Sequence, residues 1–168
     1  MTDKSKKTFF ILSVVVPIAL YCVYYYGMMI KNAPYRYSDF KSIRFEYGLG
    51  DSMVNKYNSE TGAYQYKTRN GNIKKLTVYL SKDDMLYLHR KAADLGFWNF
   101  PPEAKGDATG DKTMKSPRYL IEFVYKEKSK KVVFDQSYND DNKLNDANMR
   151  LIKEIQSAID RAEERSGK

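Results

Sequence analysis

Few residues in this chain have the type and spacing to do chemistry. His89 is the only histidine, so no histidine pair can ligate zinc, and any Ser-His or Cys-His nucleophile would have to use this one imidazole. It stands in a stretch that reads as helix, which makes it a structural side chain, at the surface or half-buried. No Gly-x-Gly-x-x-Gly and no Walker sequence is present, so nucleotide binding has no support. The 21 acidic residues are spread along the chain and specify no acid–base pair.

Two acidic segments invite a metal test. In "DATGD", Asp107 and Asp111 flank Gly110. In "DQSYNDDNKLND", Asp135, Ser137, Asn139, Asp141 and Asp146 fall on the ligand positions of a calcium-binding loop. The template then fails: Asp140 occupies the turn position that needs glycine, Asp146 replaces the bidentate glutamate, and a strand pattern precedes the loop where a helix should be. The segment reads instead as a solvated loop running into a helix N-cap, where Asp and Asn are expected. No metal and no cofactor is expected.

Cations outnumber acids, 29 Lys and Arg against 21 Asp and Glu, and there are 15 tyrosines. Rings interleaved with cations are how single-stranded nucleic acid is held. Here, however, the cations gather at two turns, Lys67, Arg69, Lys74 and Lys75 around one and Lys126, Lys128, Lys130 and Lys131 around the other. Turn lysines keep sheet edges soluble and unpaired. On a tethered domain they are also candidate contacts with an anionic lipid surface, each worth about 1 kcal/mol close to the lipid. Nucleic acid is not the expected partner. The aromatic trio Phe97, Trp98 and Phe100 in "GFWNF" has two readings, a core plug beneath a helix end or an exposed partner-binding patch.

The elements that must position these residues are legible in part. "SIRFEY" alternates Ile43, Phe45 and Tyr47 with polar neighbours, as a half-buried strand does. "GLGDSMVNKYNSETG" reads as a glycine-rich loop. Asn70-Gly71 between runs rich in Tyr, Thr, Val and Ile predicts a two-residue type I′ hairpin, which sets Tyr66 opposite Lys75 and Lys67 opposite Lys74. Ser81 with Asp84 three residues on is a capping box, Met85, Leu88, Ala92 and Leu95 share a helix face, and Gly96 closes the helix in the left-handed region. Residues 103–117 form a polar loop, "RYLIEFVY" and "KKVVFDQSY" are strands, and a helix runs from Asp141 or Asn142 to about Glu164 with Leu144, Leu151, Ile152, Ile155, Ala158, Ile159 and Ala162 on one stripe. The order βββαββα predicts an α+β fold, an antiparallel sheet of about five strands packed by two helices.

Before all of this lies Phe9 to Ile30, a run without one formal charge. A bilayer core about 30 Å thick takes roughly 20 apolar residues in a helix. Tyr21, Tyr24, Tyr25 and Tyr26 gather at its far end like an interfacial aromatic belt. Signal peptides have apolar cores of about 7 to 15 residues that end in small residues before the cleavage site, and this run has neither property. Tyr21 before the lone Cys22 also excludes a lipoprotein site, which needs a small residue there. The run therefore reads as an uncleaved signal anchor, with a secreted domain behind a cleaved signal peptide as the alternative. Both flanks are basic, so orientation rests on the plan of a short tail, an anchor and a long C-terminal domain, which crosses largely regardless of its charge.

The expected organisation is a basic cytoplasmic tail at 1–8, a transmembrane anchor at 9–30, a linker at 31–40, an extracytoplasmic domain at 41–164 and a tail at 165–168. The layout of residues 41–163, with "LGFWNFPP" after the first helix and "PRYLIEFVY" and "KKVVFD" before the last, is similar to small bacterial cell-envelope α+β domains of unknown function carried on a membrane anchor or lipoprotein signal. That resemblance implies an extracytoplasmic, periplasmic domain with no assigned activity and adds no catalytic residue. The function expected is an anchored interaction module that binds another envelope protein through an exposed sheet face or through loop 101–117. The alternative is a carboxylate-dependent envelope hydrolase.

Overall fold

The computed structural model describes residues 3–32, 35–105 and 116–167. The chain divides into two units, Met1–Arg36 and Tyr37–Lys168. The first is a single helix, α1 (Asp3–Asn32), with Pro17 inside it. Its segment Phe9–Met29, 21 residues with a mean hydropathy of 2.0, is long and apolar enough to cross a membrane, and none of that stretch is buried against protein. Cys22 is exposed on it.

The second unit is α+β. After a 3-10 turn at Tyr37–Asp39 come strands β1 (Phe40–Leu49), β2 (Ser52–Asn58), β3 (Ala63–Lys67) and β4 (Ile73–Thr77), then helix α2 (Lys82–Asp94) and a second 3-10 turn, Phe97–Asn99. Strands β5 (Glu103–Ala104), β6 (Pro117–Tyr125) and β7 (Ser129–Asp135) precede helix α3 (Asn142–Ser166). The strands form one sheet in the order β4-β3-β2-β1-β6-β7-β5. All neighbours are antiparallel except β5, which runs parallel to β7.

Seven strands in a mixed sheet replace the five antiparallel ones expected. The largest gain is β2, hidden in what reads as a glycine-rich loop. Leu49 pairs with Ser52, so Gly50 and Asp51 alone make the turn. Gly50 has φ +56 and among the described residues no non-glycine residue, Asp51 included, has positive φ, the distribution a type II′ turn requires. One pair in β2 breaks the alternation: Val54 lies on the solvent side, while Asn55 faces the core side, donating to the Tyr47 carbonyl (3.1 Å) and accepting from the Lys67 amide (2.8 Å). Close by, a Cβ on Gly48 would meet the Ser52 carbonyl oxygen at 2.0 Å, so glycine is needed where the β1 register shifts between Tyr47 and Leu49. The other gain, β5, is two residues long and carries no pattern to read.

The β3–β4 hairpin also differs from the expectation. Lys67 pairs with Ile73, Tyr66 with Lys74 and Tyr64 with Leu76, one residue out of the type I′ register. The loop has three residues, Arg69, Asn70 and Gly71, closed by the Thr68 amide on the Asn72 carbonyl (2.8 Å) and the Gly71 amide on the Thr68 carbonyl (2.9 Å). Only Gly71 is left-handed, φ +83, so glycine takes the third loop position of a bulged hairpin. Asn-Gly fits both loops, and the side chains decided between them: this register puts Tyr64, Tyr66, Leu76 and Lys74 together on the core side.

Across the middle of that side, Val132, Ile121, Phe45, Tyr57, Tyr64 and Leu76 lie abreast. Helix α3 covers them with Leu151, Ile152, Ile155, Ala158, Ile159 and Ala162, each at most 2% exposed, and α2 adds Leu88 and Ala92. Burying one large apolar side chain contributes roughly 1.5–3 kcal/mol, so this layer holds the domain. Both helices start as expected, α2 in the Ser81–Asp84 capping box and α3 on Asp141, which accepts from the Lys143 and Leu144 amides. Gly96, φ +76, turns the chain after α2.

Candidate functional site

Among the described residues of the second unit, neither α2 nor α3 covers the opposite face of the sheet. Two rows of side chains cross it. The first runs Lys131, Glu122, Arg44, Asn58, Ala63, Thr77, and the second Val133, Leu120, Glu46, Lys56, Gln65, Lys75, each residue directly beside the next on the neighbouring strand. Opposite charges stand side by side at Lys131, Glu122 and Arg44 in the first row and at Glu46 and Lys56 in the second. Arg44 lies 3.4 Å from Glu122 and Lys56 3.3 Å from Glu46. Opposite charges on adjacent strands add a few tenths of a kcal/mol each in solvent, which keeps the face soluble without closing it. A groove of about 550 Å³ follows β1 to β4, with Arg44, Glu46, Lys56, Gln65 and Lys75 among its walls.

The edge of this face is β4. Because the Thr68 amide bonds to the Asn72 carbonyl and the Val78 amide to the Gly62 carbonyl (2.7 Å), antiparallel alternation turns the backbone groups of even residues in β4 toward β3. Those of Ile73, Lys75 and Thr77 point away from the sheet. All three residues are exposed, Ile73 to 54%. From Thr61 to Ser81 the chain has no acidic residue, but it has Lys67, Arg69, Lys74 and Lys75.

A smaller cleft of about 290 Å³ lies on the core side between the sheet and α3, lined by Phe45, Tyr47, Tyr64, Gln156, Ile159 and Asp160. Partial burial, then the nearby Glu163 and Glu164, push the Asp160 carboxyl up against the opposing effect of Arg161. Burial likewise raises the Tyr47 and Tyr64 hydroxyls. A glycosidase-like hydrolase needs paired carboxylates about 5 to 9.5 Å apart. Each of the two clefts is lined by a single carboxylate, Glu46 in one and Asp160 in the other. Glu163, beside the second, is engaged by the Tyr66 hydroxyl (3.3 Å) and Lys74 (3.7 Å).

The residues singled out from sequence fall in several places. Phe97, Trp98 and Phe100 are 0%, 7% and 9% exposed and turn inward, the first two against Phe123 with ring centroids 5.2 and 5.4 Å away. They plug the core and offer no surface patch. His89 is buried as well, not at the surface, among the rings of Phe40, Trp98 and Tyr37 at 5.4 to 5.6 Å. Among the former calcium-loop positions, Asp135 takes a bidentate pair from Arg118 (2.7 and 3.0 Å), Asp141 caps α3 and Asp146 pairs with Arg150 (3.0 Å). Asp107 and Asp111 lie outside the described residues. Among the described residues no group of three or more His, Cys, Asp or Glu side chains could hold a metal ion.

Strand directions separate the two basic turns. The β3–β4 turn stands at the Leu49 end of β1, and the β6–β7 turn at the Phe40 end, where Phe40 pairs with Tyr125. The lysines therefore do not form one surface. Lys126 pairs with Asp39 (3.2 Å), Lys130 donates to the Phe100 carbonyl, Lys128 is half-buried, and Lys131 lies beside Glu122. At the other turn Lys74 sits 5.6 Å over the Tyr66 ring, while Lys67, Arg69 and Lys75 are exposed. What sequence reasoning missed is the set Glu46, Lys56 and Gln65. The alternation of "SIRFEY" placed Glu46 on the solvent side, but without β2 nothing brought Lys56 beside it. No protein-family model and no curated protein matches the chain.

Proposed function

We propose that the protein is a single-pass, membrane-anchored binding module of the cell envelope. In this reading residues 1–8 are cytoplasmic, Phe9 to Ile30 is an uncleaved signal anchor, 31–40 is a linker, and the α+β domain works outside the cytoplasm, in the periplasm, engaging another envelope protein through the open face of its sheet. The observation that carries the reading is the one-sided covering of the sheet. Both helices pack on one face, and the other is left as a wide ladder of charged and polar side chains with a groove along it. A polar face does not bar a protein partner, since a non-obligate interface taken as a whole is about as polar as the rest of a protein's surface. Loop 101–117 is the other candidate contact, and its residues 106–115 lie outside the described residues.

Two experiments test it. With Cys22 replaced by Ser, a cysteine at Ser129, an exposed position at the start of β7, is expected to react with a membrane-impermeant thiol reagent in intact cells whose outer layer has been permeabilised. Reaction only after lysis reverses the orientation, and recovery of a soluble domain lacking residues 1–30 shows cleavage. A photo-crosslinker at Gln65 in native membranes is expected to give a discrete adduct that the same group at Tyr87, exposed on α2, does not. Equal adducts from both positions would remove the open face from the function.

A further inference from the structure

We propose that the free edge of β4 is the docking site for an acidic, extended segment of the partner, which joins the sheet as an additional strand. This deepens the binding-module reading and rests on it for the existence of a partner.

The backbone supplies the affinity. Ile73, Lys75 and Thr77 present their amides and carbonyls outward, in the spacing a neighbouring antiparallel strand uses, and β4 is the terminal strand of the sheet. A strand laid there exchanges these groups pairwise while its side chains enter pockets beside alternate residues. The side chains supply the selectivity. On the open face the new strand would stand next to Ile73, Lys75 and Thr77, so an apolar residue beside exposed Ile73 and a carboxylate beside Lys75 complete the pattern. Arg69 in the hairpin loop and Lys67 one strand in extend the same positive field, with no acidic residue between Thr61 and Ser81 to cancel it. Lys74 points to the other face, where Glu163 already pairs with it.

Charge also decides between the occupants an exposed strand edge could take. A second copy pairing edge to edge brings one lysine-bearing strand against another, and "IKKLT" has no acid to offer in any register. Edge lysines are the usual defence against such self-pairing. Here they repel a copy of the same chain and attract a strand of opposite charge.

The test uses the full-length protein in nanodiscs of zwitterionic lipid and a short labelled peptide in which a pair of glutamates alternates with a pair of valines, so that each face of the extended strand carries both residue types. The acidic peptide is expected to bind and to slow amide exchange at Ile73, Lys75 and Thr77, while Lys74 and Leu76, whose amides already face β3, stay as they were. A peptide with lysine in place of glutamate is expected not to bind. Lys75→Glu should weaken the acidic peptide several-fold and admit the lysine peptide, with an unchanged thermal midpoint showing that the fold is kept. No binding of the acidic peptide, equal binding of both peptides, protection confined to β1 and β6, or an unchanged affinity in Lys75→Glu overturns the edge-strand proposal. Those results leave the binding module standing if Gln65 still crosslinks in native membranes, so the two failures are distinguishable.

Discussion

Asp84 accepts from both the amide (3.1 Å) and the hydroxyl (2.6 Å) of Ser81, and from Arg165 at the far end of α3 (2.6 Å). Burial alone would raise its carboxyl. The Ser81 bonds and Arg165 outweigh that and hold it below the usual carboxylate range. A depressed acid contributes stability that is present above its unfolded pKa, about 3.9, and lost as pH falls through the lower folded value. Asp84→Asn is therefore expected to cost about 1–2 kcal/mol at neutral pH, as the loss of a cap does, and to make the acid limb shallower below about pH 4. Urea midpoints at neutral and acid pH check both. Trp98 makes the same point for the core: packed on Phe97, Phe123, Tyr125 and His89, its replacement by Ala should cost about 3–5 kcal/mol. A stable Trp98→Ala protein would overturn its core role.

At the scale of elements, the β3–β4 hairpin gives a directional prediction. In the register expected from Asn70-Gly71, Lys74 opposes Lys67, and Lys74→Glu would relieve repulsion. In the register observed, Lys74 opposes Tyr66, lies over its ring and pairs with Glu163, so the same substitution should lower the thermal midpoint, and less so at high salt, where the new Glu–Glu repulsion is screened. Gly71→Val should cost about 1–3 kcal/mol for a β-branched residue held at positive φ. Capped helices and apolar stripes were legible because their signals are local: Ser81 with Asp84, Gly96, and the heavy side of α3 from Leu151 to Ala162. Registers and short strands were not. They depend on what lies across the sheet, as Asn55 shows by sitting on the core side to bridge Tyr47 and Lys67. The candidate site suffered most, since Lys56 and Asn58 of the open face belong to β2, a strand hidden in what reads as a loop.

For the molecule as a whole, the buried tyrosines set an alkaline limit. Desolvation pushes Tyr57 up to about 12, against a partial offset from the Leu80 backbone and with Asp84 adding to the rise. Tyr47, Tyr64 and Tyr119 are raised too, burial leading in each. A raised folded pKa means stability that is complete below the unfolded value, about 10, and lost as pH climbs through the folded one. The thermal midpoint should therefore hold to about pH 10 and then fall, and Tyr57→Phe should flatten part of that fall. Tyrosinate absorbance should show the exposed tyrosines ionising first and the buried ones only as the domain opens. One feature of the sheet has a mechanical meaning as well. The chain passes from the N-terminal unit into β1, and β1 is the central strand, hydrogen-bonded along both sides to β2 and β6. Tension arriving at Phe40 along that strand loads two ladders at once and in shear, so their bonds must give way together instead of peeling one by one from an edge. A domain threaded on its middle strand therefore resists a pull on its N-terminus better than one entered through an edge strand.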